Sequence, residues 1–325
     1  MKKKKILVIH TGGTISMSED QETGSVKPTK ENPMKSSSEG IYELAELILE
    51  DPFILPSPHI TPKEMLFIKD LIVSHIDTSN IEGVVITHGT DTLEETAYFL
   101  DLTVKTDIPI VLTGAMRSSN EIGFDGLYNY ISAVRVAICE DAQKKGVLVV
   151  LNDEIHTSMN VTKTHTSNVS TFQSPQYGPI GIVTKRGIVF HHKPINSEKY
   201  DIQSVTKSVP LLKAHAGMDS SLLFALNENN IDGLVIEALG QGNLPPATLP
   251  GIKALLAKDI PIVLVSRCFN GIAEDVYGYE GGGKQLKDYG VIFSNGLNGQ
   301  KARIKLLIAL EANCKKNQLP VVFAN

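Results

Sequence analysis

Three stretches of this 325-residue chain bring hydroxyls, glycines and a single charge together in ways that suit attack on a carbonyl carbon. The first is Thr11-Gly12-Gly13-Thr14, directly after the apolar run Ile6-Leu7-Val8-Ile9. Paired glycines let the backbone turn tightly and bring its N–H groups close to a ligand, while Thr14 presents a hydroxyl at the same place. The motif is either a plain strand-to-helix turn or the seat of a reactive hydroxyl. It is not a dinucleotide fingerprint, because G-x-G-x-x-G counted from Gly12 requires glycine where Thr14 and Met17 stand.

The second stretch is Thr87-His88-Gly89-Thr90-Asp91-Thr92-Leu93-Glu94-Glu95. Thr92 followed three residues later by Glu95 has the spacing of a capping box, which sets Thr90 and Asp91 between a strand end and a helix N-terminus. Free N–H groups and the positive end of the helix dipole meet there. A capped helix accounts for Thr92 and Glu95 but not for Gly89, Thr90 and Asp91, which read as functional. The third stretch is residues 157–171, where eight of fifteen residues are Ser or Thr and Lys163 is the one charged side chain besides His165. Such a lysine is either solvated surface or a side chain drawn into a partly dry site. In the second case loss of hydration disfavours the ammonium and lets the amine act as a base, with Thr90 relaying the proton.

Two other patterns carry no chemistry. Gly278 to Lys284 copies part of a phosphate-binding loop, but Gln285 replaces the hydroxyl that would hold magnesium and no strand immediately precedes it, so the segment reads as a flexible hinge. The nine histidines and three cysteines show none of the spacings of a metal site, and no metal or cofactor is implied.

The elements that must position these residues are legible as well. Short Val- and Ile-rich runs at 5–10, 84–87, 108–113, 147–151, 234–237, 262–265 and 291–293 alternate with helical stretches. Runs apolar on successive residues suit parallel sheets covered on both faces, and several end in Gly, Thr or Asp where strand ends open toward a ligand. The fold class is therefore α/β, with two doubly wound domains, the larger N-terminal. An echo supports two units: Asp107-Ile108-Pro109-Ile110-Val111-Leu112 returns letter for letter at residues 259–264, and Gly83-Val84-Val85-Ile86 is matched by Gly233-Leu234-Val235-Ile236. It marks either a repeated strand-helix-strand piece or shared strand chemistry. After the echo the first copy continues Thr87-His88-Gly89-Thr90-Asp91 and the second Glu237-Ala238-Leu239-Gly240-Gln241, which places the chemistry in the first lobe. Polar, aperiodic sequence around 191–208 suits a linker, giving domains at 1–192 and 209–325 with a connection at 193–208. The segments 16–40 and 152–175 read as long polar loops, and the first is expected to close over substrate.

Composition narrows the partners. With 31 Lys+Arg against 36 Asp+Glu and a net charge of -5, no nucleic-acid footprint is present. No apolar run reaches the ~20 residues that span a bilayer, and the run after Lys2–Lys5 stops at His10, short of a leader's apolar core of ~7 to 15. Three isolated cysteines argue against a disulfide framework, and a reducing cytoplasm is expected.

Taken in order, Thr11-Gly12-Gly13-Thr14-Ile15, Thr87-His88-Gly89-Thr90-Asp91-Thr92, Thr113-Gly114-Ala115-Met116-Arg117, Asn160-Val161-Thr162-Lys163-Thr164 and Gly240-Gln241-Gly242-Asn243-Leu244 resemble the motif set of bacterial L-asparaginases over nearly the whole chain. The resemblance implies cofactor-free hydrolysis of L-asparagine to L-aspartate and ammonia by a homotetramer of intimate dimers. It implies Thr14 as nucleophile, Thr90 and Lys163, held by Asp91, as managers of the protons, Ser57 at the substrate α-carboxylate and Asp91 at its α-amino group. Gly89 and Ala115 would offer backbone contacts, and Asn243 would reach in from a neighbouring subunit. The chain departs from the family in two places. Enzymes it resembles often carry a tyrosine in the loop after the nucleophile, whereas residues 16–41 hold none and offer Thr23, Ser25 and Thr29 instead; Pro58 follows the carboxylate-binding serine where relatives commonly have Gln, Glu or Asp. A partner's acidic residue would correspond to Glu280, with Tyr277 or Tyr279 nearby. Rival expectations are a broad glutaminase-asparaginase, an ammonia-generating subunit of a tRNA-linked amidotransferase, and a non-catalytic amino-acid sensor.

Overall fold

The computed structural model describes residues 2–20, 22–28, 39–195 and 198–324. The chain divides into two units, Met1–Lys199 and Tyr200–Asn325. In the first, β1 (Lys5–His10) leads into a small hairpin, β2 (Met17–Glu19) and β3 (Val26–Pro28), then into β4 (Glu46–Glu50), β5 (Gly83–Thr87), β6 (Ile110–Thr113) and β7 (Val147–Leu151). Strands β4, β1, β5, β6 and β7 lie side by side in that order, all parallel. Their residues are almost wholly apolar because both faces are covered. Ile6, Val8, Val85, Val111, Leu148 and Val150 pack on Tyr130, Ala133, Val134 and Ala137 of the Gly126–Ala137 helix, while the Leu93–Thr103 helix packs against β6 and β7.

The strand order fixes where a ligand can sit. From β1 the chain crosses to β4 on one side, and from β5 it crosses to β6 on the other. The carboxyl ends of β1 and β5 are thus a topological switch point, where diverging connections leave a crevice. Both glycine-hydroxyl motifs begin there, with His10 and Thr87 level across the ladder.

Three strands of the large sheet were not anticipated as a parallel array. β8 (Glu154–Thr157) folds back antiparallel on β7, followed, beyond a small ribbon of β9 (Thr162–Lys163) and β10 (Phe172–Gln173), by antiparallel β11 (Gly181–Val183) and β12 (Ile188–Phe190) at the edge. The expected long loop at 152–175 therefore contains three short strands, β8, β9 and β10. Its reversal uses Asn152 and Asp153 at φ 49° and 65°, a two-residue turn whose twist matches a hairpin but which lacks the Asn-Gly signature. The segment expected as one loop at 16–40 likewise contains the β2–β3 hairpin, tied down where Ser119 N donates to Met17 O (2.9 Å) and Glu19 N to Asn120 Oδ1 (2.7 Å).

In the second unit β13 (Leu211–Lys213), β14 (Leu234–Ala238), β15 (Ile262–Ser266) and β16 (Ile292–Phe293) form a parallel sheet in sequential order. One face packs Leu234, Ile236, Ile262 and Leu264 on Leu223, Leu249, Ile252 and Leu255, and the Gly299–Glu311 helix packs against β13, β14 and β15. The internal echo is structural. Val84 pairs with Ile110 as Leu234 pairs with Ile262, and the N–H of each first partner donates to the carbonyl of Pro109 or Pro261. Within the glycines at 278–283, expected as a flexible hinge, Gly281 is closely held: its N–H donates to Gln285 Oε1 (2.8 Å), and a Cβ on it would fall 2.2 Å from Leu244 O.

Candidate active site

The two strand-end turns are pressed together at their glycines. Gly12 (φ 100°) and Gly13 (φ 81°) adopt backbone that side chains disfavour. A Cβ on Gly13 would lie 2.2 Å from Gly89 Cα, so only two glycines permit this approach. Thr11 N and its hydroxyl both donate to Thr87 O (3.1 and 3.0 Å), and Gly13 N donates to Leu55 O (3.1 Å). Thr14 follows as the first residue of a 3-10 turn, half-buried, one residue from the Gly13–Gly89 contact, with Thr90 one residue beyond that contact on the other turn.

Ser57, Thr90, Asp91 and Lys163 form one hydrogen-bonded group. Lys163 Nζ donates to Thr90 Oγ1 at 2.9 Å and to Asp91 Oδ1 at 2.7 Å. Asp91 N donates to Ser57 Oγ at 3.1 Å, which leaves the serine's own proton and the exposed side of the Asp91 carboxylate available to a ligand. Thr90 and Ser57 are buried, and Lys163 keeps only 16% of its side chain exposed. The alternative of a solvated surface lysine is thus set aside by position. In this resting arrangement the amine is a donor to both partners, so it receives a proton through Thr90 only after giving one up.

Thr92 corrects an expectation. Its hydroxyl donates to Ser57 O (2.8 Å) and makes no side-chain cap, so the expected box with Glu95 does not form. The helix entry instead holds the serine loop in place. A true capping box lies at Thr61 and Glu64, where Pro62 opens the Pro62–Ser79 helix just beyond Ser57.

Supporting groups were not singled out in the sequence. His88 is fully buried, its Nδ1 2.7 Å from Gly89 O and its Nε2 2.9 Å from Thr96 Oγ1. A carbonyl can only accept, so Nδ1 carries the proton and Nε2 accepts from Thr96. Burial pushes the imidazole pKa down to about 4, partly opposed by the Gly89 hydrogen bond, and the ring is neutral near pH 7. Asp125 gathers the turn after β6 by accepting from Met116 N (3.0 Å) and Arg117 N (3.0 Å), and Asn129 Nδ2 donates to Gly114 O (3.0 Å); together they set the main chain around the buried Ala115. Glu94 accepts from Thr162 Oγ1 (3.1 Å) and Lys163 N (3.4 Å). The one sequence signal for His88 and Glu94 was their place in the stretch from Thr87 to Glu95, whereas Asp125 and Asn129 lie outside every motif.

Not every candidate joins the group. Asn243 belongs to the second unit, where its Oδ1 accepts from Gly283 N (3.1 Å). It lines a cleft of about 590 Å³ with Gly240, Gln241, Ser266, Cys268, Tyr277 and Tyr279, and Glu280 is exposed. Of the hydroxyls offered in place of a loop tyrosine, exposed Thr23 and half-buried Ser25 are bonded to each other (2.7 Å), while Thr29 lies outside the described residues. Among the described residues no three His, Cys, Asp or Glu side chains gather as metal ligands.

A hydroxyl-bearing turn, a threonine-lysine-aspartate chain and a switch-point crevice define a hydrolase of the acyl-transfer type. The comparisons with known proteins agree. The N-terminal asparaginase model matches residues 5–196, and the glutaminase/asparaginase C-terminal domain matches residues 208–323. The chain is 39% identical over 323 residues to a probable L-asparaginase of Deinococcus radiodurans, covering 98% of this chain and 97% of that protein. It is 31% identical over 307 residues to an L-asparaginase of Bacillus licheniformis, covering 94% and 95%. The crystal structure of a probable cytoplasmic L-asparaginase from Campylobacter jejuni superposes with a TM-score of 0.88 at 31% identity, covering 99% of this chain and 100% of that one. This protein belongs to the asparaginase family.

Proposed function

We propose that this protein hydrolyses L-asparagine to L-aspartate and ammonia through an ester on Thr14. The observation that carries the reading is Lys163 Nζ bridging Thr90 and Asp91 beside the turn that bears Thr14. Thr14 Oγ attacks the side-chain amide carbon, and main-chain N–H groups of the two strand-end turns receive the oxyanion. The C–N bond breaks, and the nitrogen leaves as ammonia with the hydroxyl's proton. Water then attacks the ester, one of its protons passing along the Thr90–Lys163 chain and on to the Thr14 oxygen as the ester C–O bond breaks, and the product acid releases the other, leaving aspartate and the Thr14 hydroxyl. Ser57 and the exposed Asp91 carboxylate hold the α-carboxylate and the α-ammonium, and Gly89 and Ala115 contribute main-chain contacts.

Catalysis belongs in this reading to the lobe at 1–192, with 193–208 as linker and 209–325 as the second lobe. The active form is a cytoplasmic homotetramer in which Asn243 serves a neighbour's site, with Glu280 and Tyr277 or Tyr279 beside it. Phe269, Val276 and Tyr279, each more than half exposed near the Asn243 cleft, support a covered face there. The free thiols of Cys139 and Cys268 and the likeness to a cytoplasmic relative support the location. Replacing Thr14 by Ala is expected to lower ammonia release from asparagine by roughly 10⁴-fold or more while the circular dichroism spectrum is kept. Turnover at the wild-type rate in that variant overturns the assignment. Glutamine differs by one methylene, worth only ~1 to 3 kcal/mol of discrimination, so the ratio of kcat/KM for the two amides sets the breadth of the substrate range.

A further inference from the structure

Lys163 stands on a poor platform. Its strand is two residues long and pairs with an equally short partner, Lys163 opposite Phe172 and Thr162 opposite Gln173. Isolated ribbons of this kind are marginal, and a lysine adds a long side chain whose rotamers must be frozen. Nζ nevertheless has to meet Thr90 and Asp91, which lie on a different element, at hydrogen-bond distance.

Glu94 supplies the missing anchor. It is 5% exposed, in the first turn of the Leu93–Thr103 helix, and its Oε1 accepts from the Thr162 hydroxyl and the Lys163 N–H. The short segment Thr90 to Glu94 thus grips the lysine at both ends, its main chain through Glu94 and its ammonium through Thr90 and Asp91. A buried carboxylate is costly unless it is hydrogen-bonded, and a helix N-terminus lessens that cost without requiring it to face the lysine strand. We propose that Glu94 is a positioning residue for the proton chain, holding the main chain of Thr162 and Lys163 so that Nζ reaches Thr90. The proposal rests on Lys163 being a member of that chain.

Three variants, Glu94→Ala, Glu94→Gln and Thr162→Val, test it by steady-state ammonia release and by the rate at which a hydroxysuccinimide ester acetylates Lys163, read by mass spectrometry. Glu94→Ala should lower kcat by about 100-fold, the scale of an ångström-sized misplacement, with KM little changed and with faster labelling of Lys163. Glu94→Gln should recover most of the loss, since its amide oxygen can accept the same two bonds, and Thr162→Val should fall between. Lys163 labelled at the wild-type rate in Glu94→Ala, or Glu94→Gln as impaired as Glu94→Ala, overturns the proposal. Should Glu94→Ala not fold, wild-type labelling and kcat in Thr162→Val overturn it instead. Wild-type protein inert toward asparagine would remove the proposed activity, while the labelling comparison would still decide the anchor.

Discussion

His88 illustrates how single side chains support this site without touching the reaction. It lies between Thr87 and the Gly89 turn, and its ring ties the Gly89 carbonyl to Thr96 on the following helix. Because the folded-state pKa is pushed down to about 4, the unfolded chain binds more protons than the folded one between pH 6.5 and 4. This contribution is present in full above pH 6.5 and is lost as the pH falls toward 4, by about 3 kcal/mol in all. Urea midpoints at pH 7 and pH 4.5 should differ less in His88→Gln than in the wild type, and an identical difference would show that another group carries the dependence. The residues proposed for the reaction were visible in the chain, because hydroxyl, glycine and charge cluster within short words such as Thr87 to Asp91. His88, Glu94 and Asp125 were not, since a buried polar residue reveals its purpose only through partners from other elements.

At the scale of elements, the decisive feature is that the turns after β1 and β5 touch through main chain. Gly13→Ala would put a methyl 2.2 Å from Gly89 Cα at a φ of 81°, with backbone on both sides and nothing flexible to yield. We expect a loss of roughly 2 to 4 kcal/mol in urea denaturation, with turnover abolished. Gly24→Ala serves as a contrast. Its φ is 65° but the nearest atom to a Cβ is Glu19 Oε1 at 3.8 Å, so a cost of about 1 kcal/mol is expected with folding retained. Equal effects of the two substitutions would show that conformation, not contact, governs Gly13. The apolar runs marked β1, β5, β6, β7, β14, β15 and β16, whereas β4, β8, β11, β12 and β13 lay outside them. A two-residue turn at Asn152 and Asp153 reverses the chain into β8, and its residues carry no strong signature. Thr92 and Glu95 had the right spacing for a cap, but the Ser57 carbonyl takes the Thr92 hydroxyl.

The whole molecule separates two similar halves by strand order. The echo folds into the same paired strands in each unit, yet the first sheet reverses its winding between β1 and β5 while the second runs sequentially from β13 to β16. A reversal parts the connections that follow β1 and β5, and the chemistry proposed for the first copy of the repeat falls at that point. If Asn243 completes a neighbour's site, Thr14→Ala and Asn243→Ala chains, each weak alone, should regain activity when denatured together and refolded as mixed oligomers. Recovery no greater than the sum of the separate preparations would confine each site to one chain, and sedimentation of the wild type would show whether tetramers form.

The amino-acid order carried the α/β class, the positions of the most apolar strands and the residues of the hydroxyl-lysine group, because apolar runs and compact polar motifs are local properties. Adjacency was not local. That Gly13 meets Gly89, that Ser57 rather than Glu95 engages Thr92, and that Glu94 grips the strand of Lys163 depend on which backbones lie beside one another once two sheets have wound and buried their faces.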